Sequence, residues 1–466
     1  MNQLNLPEPP TNSNFDSIDP IDSRYYDAEL AKYLSERSRI YYQAYVESAL
    51  AQTLVEYGIC SQEIADEISN ACQNIDAEHV AENEKVTKHD VKALVNTIKE
   101  QISDQAKPFV HFGATSYDIV ATALSLQLRD ATNKVVIPRL IALEKTLISL
   151  TNKYANTVQI GRTHGQHAVP ITFGFALAEY VSRLGENIFA LNELSSGLTG
   201  KFSGAVGAYN ALGVFVEDPQ AFEKAVLSKL EIDPAPYSNQ IIPAESYVRL
   251  LDEMAISSGI MANLANDIRH LQRSEIAELR ESFGPNQTGS STMAHKRNPI
   301  TFENVVSLNK QVSAQIISAN ANLSSEHQRD LTDSASARYY GLVLALVATM
   351  AKRLQGAMEK IEVDEQNMQR NLHLSQGAIA AEPLYLLLEK YGHTTAHEVA
   401  KSLSHQALDQ NKSLFEIASQ DQSITEYFAK FSDQEKQILQ SPEKNYSGKA
   451  AAKARQIAED WYKLLS

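Results

Sequence analysis

The stretch from Gly284 to Asn304 holds the residues whose types and spacing best suit catalysis. Small residues, hydroxyls and amides interrupt two long helical patterns there, and the cationic run His295–Asn298 precedes Pro299, which begins the next helix. A mobile polar loop beside fixed positive charge suits an enzyme that closes over an anion and removes a proton from it. A solvated loop between helices has the same composition, so the loop alone leaves both interpretations open.

Three further breaks between the predicted helices carry an unusual density of polar side chains. They are Thr87–Asp90, His111–Ser116 and Gly161–Gln166. Each contains a histidine at a predicted helix end, where a histidine is more often a cap or a satisfied structural group than an acid or base. A helix bundle can bring such ends together, within one chain or between subunits.

Two common classes of enzyme do not fit the loop. The run from Gly284 to Ser291 nearly matches the phosphate-binding pattern G-x-x-x-x-G-K-[ST], but Ser290 replaces the required lysine and the segment before it is predicted to be a helix. The chain also lacks the G-x-S-x-G elbow and the alternating strands and helices of a serine hydrolase. A nucleoside triphosphatase and a Ser-His-Asp hydrolase are therefore rejected.

The elements that must position these residues are predicted to be helices. The chain of 466 residues has only 19 glycines and 15 prolines, a shortage of helix-breaking residues that favours long helices. No alternating run is long enough for a substantial sheet. The long helical patterns span about 117–154, 171–198, 243–283, 299–323 and 333–361, with Pro138 as a kink in the first.

Five helices of this length bury their apolar stripes only if they lie side by side in a bundle. The sequence therefore predicts an all-α fold with three helical domains: residues 1–115, a central long-helix bundle at 116–370 with the loop 284–299, and shorter helices at 371–466. Broad apolar stripes on the central helices also favour contacts between subunits, so the bundle is expected to form the core of an oligomer.

Composition limits the partners and the location. The formal charge of −15 argues against nucleic-acid binding. No apolar run is long enough to cross a membrane and no signal peptide is recognisable, which predicts a cytoplasmic protein. Cys60 and Cys72 have no His or Cys neighbours at metal-ligand spacing, so both are expected to be reduced and structural, with no metal site. An anionic substrate must be bound by a few local clusters of Arg and Lys.

In combination these motifs resemble the fumarase/aspartase superfamily. The run Gly289–Pro299 is similar to its loop G-S-S-x-M-P-x-K-x-N-P, and His295 before the lysine with Arg297 after it points to the adenylosuccinate lyases within that group. Further matches are Arg24-Tyr25, Lys88–Val91, His111–Asp118, Gly161–Gln166, Gly204–Gly207 and Gln328–Ser334. The resemblance implies a homotetramer without a cofactor, whose active sites each take residues from three subunits.

The resemblance also implies a β-elimination that releases fumarate from a succinylated purine nucleotide. The substrates would be adenylosuccinate, which gives AMP, and succinylaminoimidazole carboxamide ribotide, which gives AICAR. A proton leaves the carbon beside a carboxylate, so the doubly negative aci-carboxylate that forms dominates the barrier.

Four residues match the catalytic positions of the family. Ser290 would be the base, a role that requires exclusion of water and strong donors around the alkoxide. His164 would be the acid that protonates the leaving nitrogen, and Glu303 would hold His164 in its productive tautomer. Lys296, together with Asn298, would donate hydrogen bonds to the developing aci-carboxylate.

The remaining matches are substrate-binding positions rich in Arg, Lys, His and hydroxyl groups. They are Arg24, Tyr25, Lys88, His89, Asp90, Thr115, Ser116, Gln240, Ser291, Asn298, Arg329, Ser334 and Arg338. Arginine suits phosphate because its fork donates two parallel hydrogen bonds, and hydroxyls near a helix N-terminus lie where anions are favoured. Thr115 and Ser116 would bind the succinyl carboxylate, whereas the three arginines would bind the nucleotide.

One residue departs from the family pattern, because Ala294 stands where the motif has proline. The change frees one backbone torsion and adds an N–H, so we expect a somewhat more mobile open loop and no loss of activity. The alternatives are a carboxymuconate cycloisomerase, an argininosuccinate lyase and a non-catalytic structural relative. His164 disfavours the first, His295 disfavours the second, and retention of the whole catalytic set disfavours the third.

Overall fold

Helices form most of the regular structure. The computed structural model describes residues 18–284, 292, 293, 295–375 and 377–465. In chain order the helices are α1 Ala28–Leu34, α2 Glu36–Glu56, α3 Gln62–Gln73, α4 Ala77–Thr87, α5 Asp90–Glu100, α6 Ser116–Ala131, α7 Ile137–Lys153, α8 Phe173–Ser196, α9 Pro219–Ser228, α10 Glu245–Leu271, α11 Ile300–Ala321, α12 Tyr340–Met358, α13 Glu365–His373, α14 Ala381–Lys390, α15 Ala396–Gln410, α16 Leu414–Gln420, α17 Thr425–Phe428, α18 Asp433–Gln440, α19 Pro442–Asn445 and α20 Ala450–Leu464. The predicted all-α class is confirmed.

Short strands form three two-stranded pairs in the described part of the chain. The strands are β1 Val158–Thr163 with β2 Gln166–Thr172, β3 Thr199–Gly200 with β4 Asp233–Pro234, and β5 Leu279–Arg280 with β6 Glu362–Val363. The pairs β1–β2 and β5–β6 are antiparallel, and β3–β4 is parallel. None is a substantial sheet, but the β1–β2 hairpin occupies a break that the sequence placed between helices.

The predicted ends of two long helices need correction. The pattern over 243–283 is helical only to Leu271, because the chain then turns and forms β5. The pattern over 333–361 begins as a 3-10 turn at Ser336–Tyr339 before α12. At the predicted kink, a π-helical turn at Thr132–Val136 precedes Pro138, as expected where a helix loses a regular backbone hydrogen bond.

The chain divides into two compact units. Unit 1 lies within Met1–Arg139, Asn187–Ser258 and Leu308–Met350, and unit 2 lies within Leu140–Glu186, Gly259–Ser307 and Ala351–Ser466. The division into three domains at residues 115 and 370 stays a prediction. No helix of the described residues is long and apolar enough to cross a membrane.

Helix α2 contributes buried side chains to two hydrophobic clusters of unit 1. One face contributes Ala44 to a cluster with Ile68 of α3 and Leu94 of α5. The other face contributes Leu50 to a cluster with Ile119 of α6, and all five of these residues are buried. Burial of apolar area on both sides of α2 stabilises the position of α6, whose first turn carries Ser116.

In unit 2, helix α7 buries a carboxyl group that lacks a hydrogen-bond partner among the described residues. Both oxygens of Glu144 are inaccessible to solvent, and the side chain lies on the apolar face of the helix with Leu140, Leu143 and Leu147. Desolvation raises the pKa of Glu144 to about 9. The carboxyl group is therefore protonated at neutral pH.

The raised pKa of Glu144 makes the stability of the fold depend on pH. The carboxyl group of Glu144 is protonated more readily in the folded chain than in the unfolded chain, where its pKa is near 4.5. Its contribution to the free energy of unfolding is therefore complete below that pH and is lost as the pH rises towards 9. We expect Glu144→Gln to raise the melting temperature progressively more, relative to the wild type, between about pH 5 and about pH 9. Glu186→Gln on the exposed face of α8 is the matched control and should give a flat difference. Parallel pH profiles for the wild type and Glu144→Gln would contradict this expectation.

Candidate active site

In unit 2, His164 lies at the tip of the β1–β2 hairpin and not at a helix end as predicted. Thr163 pairs with Gln166, so His164 and Gly165 form a two-residue turn in which both φ angles are positive, 54° and 74°. Positive φ at both central residues is the signature of the type I′ turn that suits the twist of a hairpin. The exposed imidazole of His164 thus projects from a turn whose backbone is fixed by strand pairing.

The hairpin contains an irregularity directly before its tip. The register of the two strands shifts between Ile160 and Arg162, which increases local twist. Gly161 lies at the shift, and a Cβ atom there would approach the carbonyl oxygen of Val169 to 2.7 Å. Because that distance is too short, glycine is required for the close approach of the strands that carry His164.

A fully buried carboxylate, Glu278, anchors the hairpin. Arg162 of β1 donates to both of its oxygens, with 3.2 Å between Nη1 and Oε2 and a second bond from Nη2 to Oε1. Gln159 of β1 donates from Nε2 to Oε2 at 2.7 Å, and Asn371 of α13 donates from Nδ2 to Oε1 at 2.7 Å. Four donors satisfy the buried charge, as a desolvated carboxylate requires.

Helix α13 fixes the segment that carries Glu278. Asn367 Nδ2 donates to the carbonyl oxygen of Ala277 at 3.1 Å, and Asn371 Nδ2 donates to that of Ile276 at 2.9 Å. Arg370 Nη2 donates to the carbonyl oxygens of Glu275 and Ile276, each at 2.9 Å. The backbone groups of a non-helical segment are thereby satisfied, and Glu278 is held at the base of the hairpin.

The cationic run and the start of α11 line a second part of unit 2, a cavity of about 550 Å³. The lining residues are Arg269, His270, Gln272, Arg273, Ser274, His295, Lys296, Arg297, Asn298, Pro299 and Glu303. Four are arginine or lysine and one is a carboxylate, in a chain whose formal charge is −15. The predicted local concentration of positive charge is therefore present, and it suits a polyanionic ligand.

Lys296, Asn298 and Glu303 all line this cavity, but they differ in exposure and in hydrogen-bond or ion-pair partners. Lys296 is exposed, and its backbone N–H donates to the carbonyl oxygen of Met293 at 3.0 Å. Asn298 is half-buried and directly precedes Pro299. Glu303, in the first turn of α11, lies 4.0 Å from Arg269 Nη2. Ser290, Ser291 and Ala294 lie outside the described residues.

The predicted contact between Glu303 and His164 is not formed within one chain. No hydrogen bond or ion pair joins the two side chains among the described residues, and each side chain is exposed. Glu303 instead forms an ion pair with Arg269.

In unit 1, the hydroxyls of Thr115 and Ser116 lie at the first turn of α6 beside a second fully buried carboxylate, Asp118. Its Oδ2 accepts a hydrogen bond from Thr115 N at 2.8 Å. Its Oδ1 accepts from the ammonium group of Lys201, from Ser203 N at 3.1 Å and from Gly204 N at 3.2 Å. The ion pair of Asp118 and Lys201 is closed to solvent on both sides, so it fixes the start of α6 against the segment after β3.

Gln240 connects that segment to a third one. Its Nε2 donates to the carbonyl oxygen of Ala205 at 3.2 Å, and its backbone N–H donates to that of Gln328 at 3.2 Å. Gln240 therefore joins two of the runs that resemble family motifs, although they are more than 100 positions apart in the chain.

Arg329 completes a ring of contacts back to α6. Its guanidinium group lies over the ring of Tyr117, with 4.1 Å from Cζ to the ring centroid, and its Nη2 donates to the Tyr117 hydroxyl. Nη1 also donates to Asp333 at 2.8 Å. The buried Nε has no partner among the described residues. Unit 1 thus brings Thr115, Ser116, Gln240 and Arg329 together.

The other predicted binding residues of unit 1 lie at separate positions or have structural partners. His89 caps α5, and its Nδ1 accepts from Lys92 N at 3.3 Å, which leaves Nε2 with the proton. Asp90 accepts from Arg39 at 3.3 Å, and Arg338 donates to Glu36 at 2.8 Å. Arg24, Tyr25, Lys88 and Ser334 are exposed or half-buried in turns.

His111, in a break that the sequence singled out, has a structural partner. Its Nδ1 lies 2.6 Å from the buried carboxylate of Glu47. Burial lowers the pKa of His111, but the negative charge and hydrogen bond of Glu47 outweigh burial and raise the pKa overall. The structural interpretation therefore holds for this histidine.

Sequence reasoning missed Glu278 and Lys201, and gave Asp118 no role beyond its motif. Glu278 lies in the stretch that was predicted to be helical, where a glutamate looks like an ordinary exposed charge. Lys201 follows Gly200 in a Gly-rich segment and has no pattern of its own. All three roles depend on contacts between segments that are distant in the chain. The spacing of residues within one segment carries no information about such contacts.

Comparison with known proteins agrees with this arrangement of motifs. Residues 22–317 match the profile of a family described as Lyase, and residues 325–436 match the family described as Adenylosuccinate lyase C-terminal. The adenylosuccinate lyase of Pyrococcus horikoshii is 36% identical over 95% of this chain and 98% of its own length. The N-acetyl-S-(2-succino)cysteine lyase of Enterococcus italicus is 30% identical over 93% of this chain and 94% of its own length.

A solved structure has the same fold. The 3-carboxy-cis,cis-muconate lactonizing enzyme of Pseudomonas putida superposes with a TM-score of 0.84 at 26% identity, over 96% of this chain and all of that one. Because the family profiles cover most of the chain and the relatives match nearly its full length, the chain is a lyase that belongs to the adenylosuccinate lyase family of the fumarase/aspartase superfamily.

Proposed function

We propose that this lyase splits adenylosuccinate into AMP and fumarate, and splits succinylaminoimidazole carboxamide ribotide into AICAR and fumarate. The observation that carries the proposal is the cationic cavity around Lys296 and Asn298 in an otherwise acidic chain. A succinylated nucleotide carries a phosphate and two carboxylates, and the elimination adds negative charge to one carboxylate in the transition state. Family membership supports the same substrate class.

The chemistry is divided between a base, an acid and two donors. Ser290, as an alkoxide, takes the proton from the carbon beside the succinyl carboxylate, and the electron pair moves to form the double bond of fumarate. The C–N bond breaks, and His164 delivers a proton to the departing nitrogen. Lys296 and Asn298 donate to the aci-carboxylate while it exists, which lowers the barrier without tightening ground-state binding.

The ring of contacts in unit 1 suits the binding roles. Thr115 and Ser116 offer hydroxyls at the first turn of α6, where the helix dipole favours a carboxylate. Arg329 carries a guanidinium group, whose fork of donors suits phosphate. We assign supporting contacts, by resemblance, to Gln240 and Ser291, and to the remaining positions Arg24, Tyr25, Lys88, His89, Asp90, Ser334 and Arg338.

The proposed site requires more than one subunit. Glu303 does not contact His164 within the described residues of one chain, so a partner subunit would supply one of them. Large apolar side chains are exposed on the long helices, with exposed fractions of 44% for Phe189, 51% for Ile256 and 75% for Ile317. Exposed apolar groups on long helices favour association. We infer the homotetramer of the family, with shared active sites.

Glu278 is proposed to act through His164. It bonds Arg162, two residues before the catalytic histidine, and holds the hairpin to α13. It does not touch the substrate in this account and is therefore a positioning residue. The cytoplasmic location and the absence of nucleic-acid partners stay predictions.

The substrate assignment is tested by following adenylosuccinate by ultraviolet absorbance and measuring fumarate. We expect turnover of both purine substrates and none of argininosuccinate or carboxymuconate. Ser290→Ala should lower kcat by about 1,000-fold or more while substrate binding changes little, because the base acts only in the transition state. Retained turnover in Ser290→Ala would remove Ser290 as the base. Turnover of N-acetyl-S-(2-succino)cysteine in place of the nucleotides would overturn the substrate assignment.

Shared active sites are tested by mixing two inactive variants. If His164 and Ser290 of one site come from different subunits, a reassembled mixture of His164→Gln and Ser290→Ala should regain up to about one quarter of wild-type activity, since some sites then receive both native residues. Each variant dissociated and reassembled alone is the control. Recovery no greater than in these controls would place both residues of a site in one subunit.

A further inference from the structure

Two side chains that no motif marks, Gln272 and Glu281, join backbone segments on the two sides of residues 285–291. Gln272 directly follows α10, and its Nε2 donates to the carbonyl oxygen of Arg297 at 3.1 Å. Its Oε1 accepts from Glu281 N at 2.9 Å. A single glutamine therefore bonds the chain before these residues and the chain after them.

Glu281 extends the connection to α11. Its two carboxylate oxygens lie 3.2 and 3.0 Å from Thr301 N, which donates to them, and its side chain is buried. Burial raises the pKa of Glu281, and the hydrogen bonds from the first turn of α11 limit the rise. A carboxylate at this place satisfies a helical N–H that has no partner within the helix and interacts favourably with the helix dipole.

The bonded backbone groups flank the residues that would stabilise the transition state. The carbonyl of Arg297 lies between Lys296 and Asn298 in the chain, and Thr301 follows three positions after Asn298. Lys296 is exposed, and its backbone N–H donates to the carbonyl oxygen of Met293. The hydrogen bonds of Gln272 and Glu281 restrict the backbone at Arg297 and Thr301, on the two sides of Asn298.

We propose that Gln272 and Glu281 are positioning residues for the elimination, which hold the Lys296–Asn298 donors in a fixed relation to α11. The inference rests on the proposed function, because it assigns the donors to the aci-carboxylate. It goes beyond the family motifs, since neither residue lies in the loop that carries the resemblance.

Loss of either contact should reduce kcat more than it changes KM. A displacement of about 1 Å at a reacting centre costs about 100-fold in rate, and the donors act on charge that develops only in the transition state. We therefore expect Gln272→Ala and Glu281→Leu to lower kcat by about 10- to 100-fold with KM changed by less than about threefold. Glu281→Gln keeps an acceptor oxygen for Thr301 N and should retain most of the activity.

The experiment measures kcat, KM and melting temperature for these variants, with Gln434→Ala as the matched control. Gln434 is an exposed glutamine of α18 that has no hydrogen-bond partner among the described residues. The inference holds if kcat falls selectively in Gln272→Ala and Glu281→Leu and recovers in Glu281→Gln. Unchanged kcat, a rise in KM alone, or a loss equal in Glu281→Gln and Glu281→Leu would overturn it.

Hydrogen exchange of the peptide 292–303 separates this inference from the proposed function. Faster exchange in both variants than in the wild type is expected without any substrate. Thr301 N loses its acceptor in Glu281→Leu, and the segment loses the hydrogen bond to the carbonyl oxygen of Arg297 in Gln272→Ala. If the wild type fails to split adenylosuccinate, the proposed function is wrong. Equal exchange rates in the wild type and the two variants would overturn the structural role of Gln272 and Glu281, whatever the substrate. If the wild type is active and the variants match it in both rate and exchange, only the positioning role is wrong.

Discussion

The requirement that a buried charge be paired governs the arrangement of the functional segments. Asp118 in unit 1 and Glu278 in unit 2 are both completely buried. Transfer of an ion out of water costs several kcal/mol even after the protein relaxes, so each carboxylate needs a cation and further donors in fixed positions. Lys201 is the cation that pairs with Asp118, and Arg162 is the cation that pairs with Glu278. Peptide N–H groups and side-chain amides donate the remaining hydrogen bonds to the two carboxylates.

Each buried carboxylate joins segments that are distant in the chain. Asp118 connects the start of α6 with the Gly204 segment, and Gln240 and Arg329 extend this connection to the chain after α11. Glu278 connects the His164 hairpin with α13. Such anchoring fixes catalytic and binding groups before the substrate arrives, which is the condition for electrostatic stabilisation of a transition state.

Local patterns predicted the helical class and the cationic run His295–Asn298, because both depend on residues close in sequence. They did not predict the hairpin at His164. Its His-Gly turn is not one of the common hairpin signals, and β1 has a single exposed residue at its end in place of a clear alternation. The local patterns also extended α10 beyond Leu271. Apolar periodicity carries no information about the pairing of Glu278 with Arg162, which takes place outside the helix. The role of Ser290 came from resemblance, since a serine has no intrinsic basicity at neutral pH.

The most direct test of the central claim is a kinetic double-variant cycle on Glu278 and His164 with adenylosuccinate as substrate. Glu278→Gln should lower kcat by about 10- to 100-fold at a temperature where the variant remains folded, because the hairpin loses its anchor. If Glu278 acts through His164, adding Glu278→Gln to His164→Gln should cause no further loss, since the acid is already absent. Losses that multiply in the double variant would contradict the claim that the buried carboxylate serves catalysis by positioning His164.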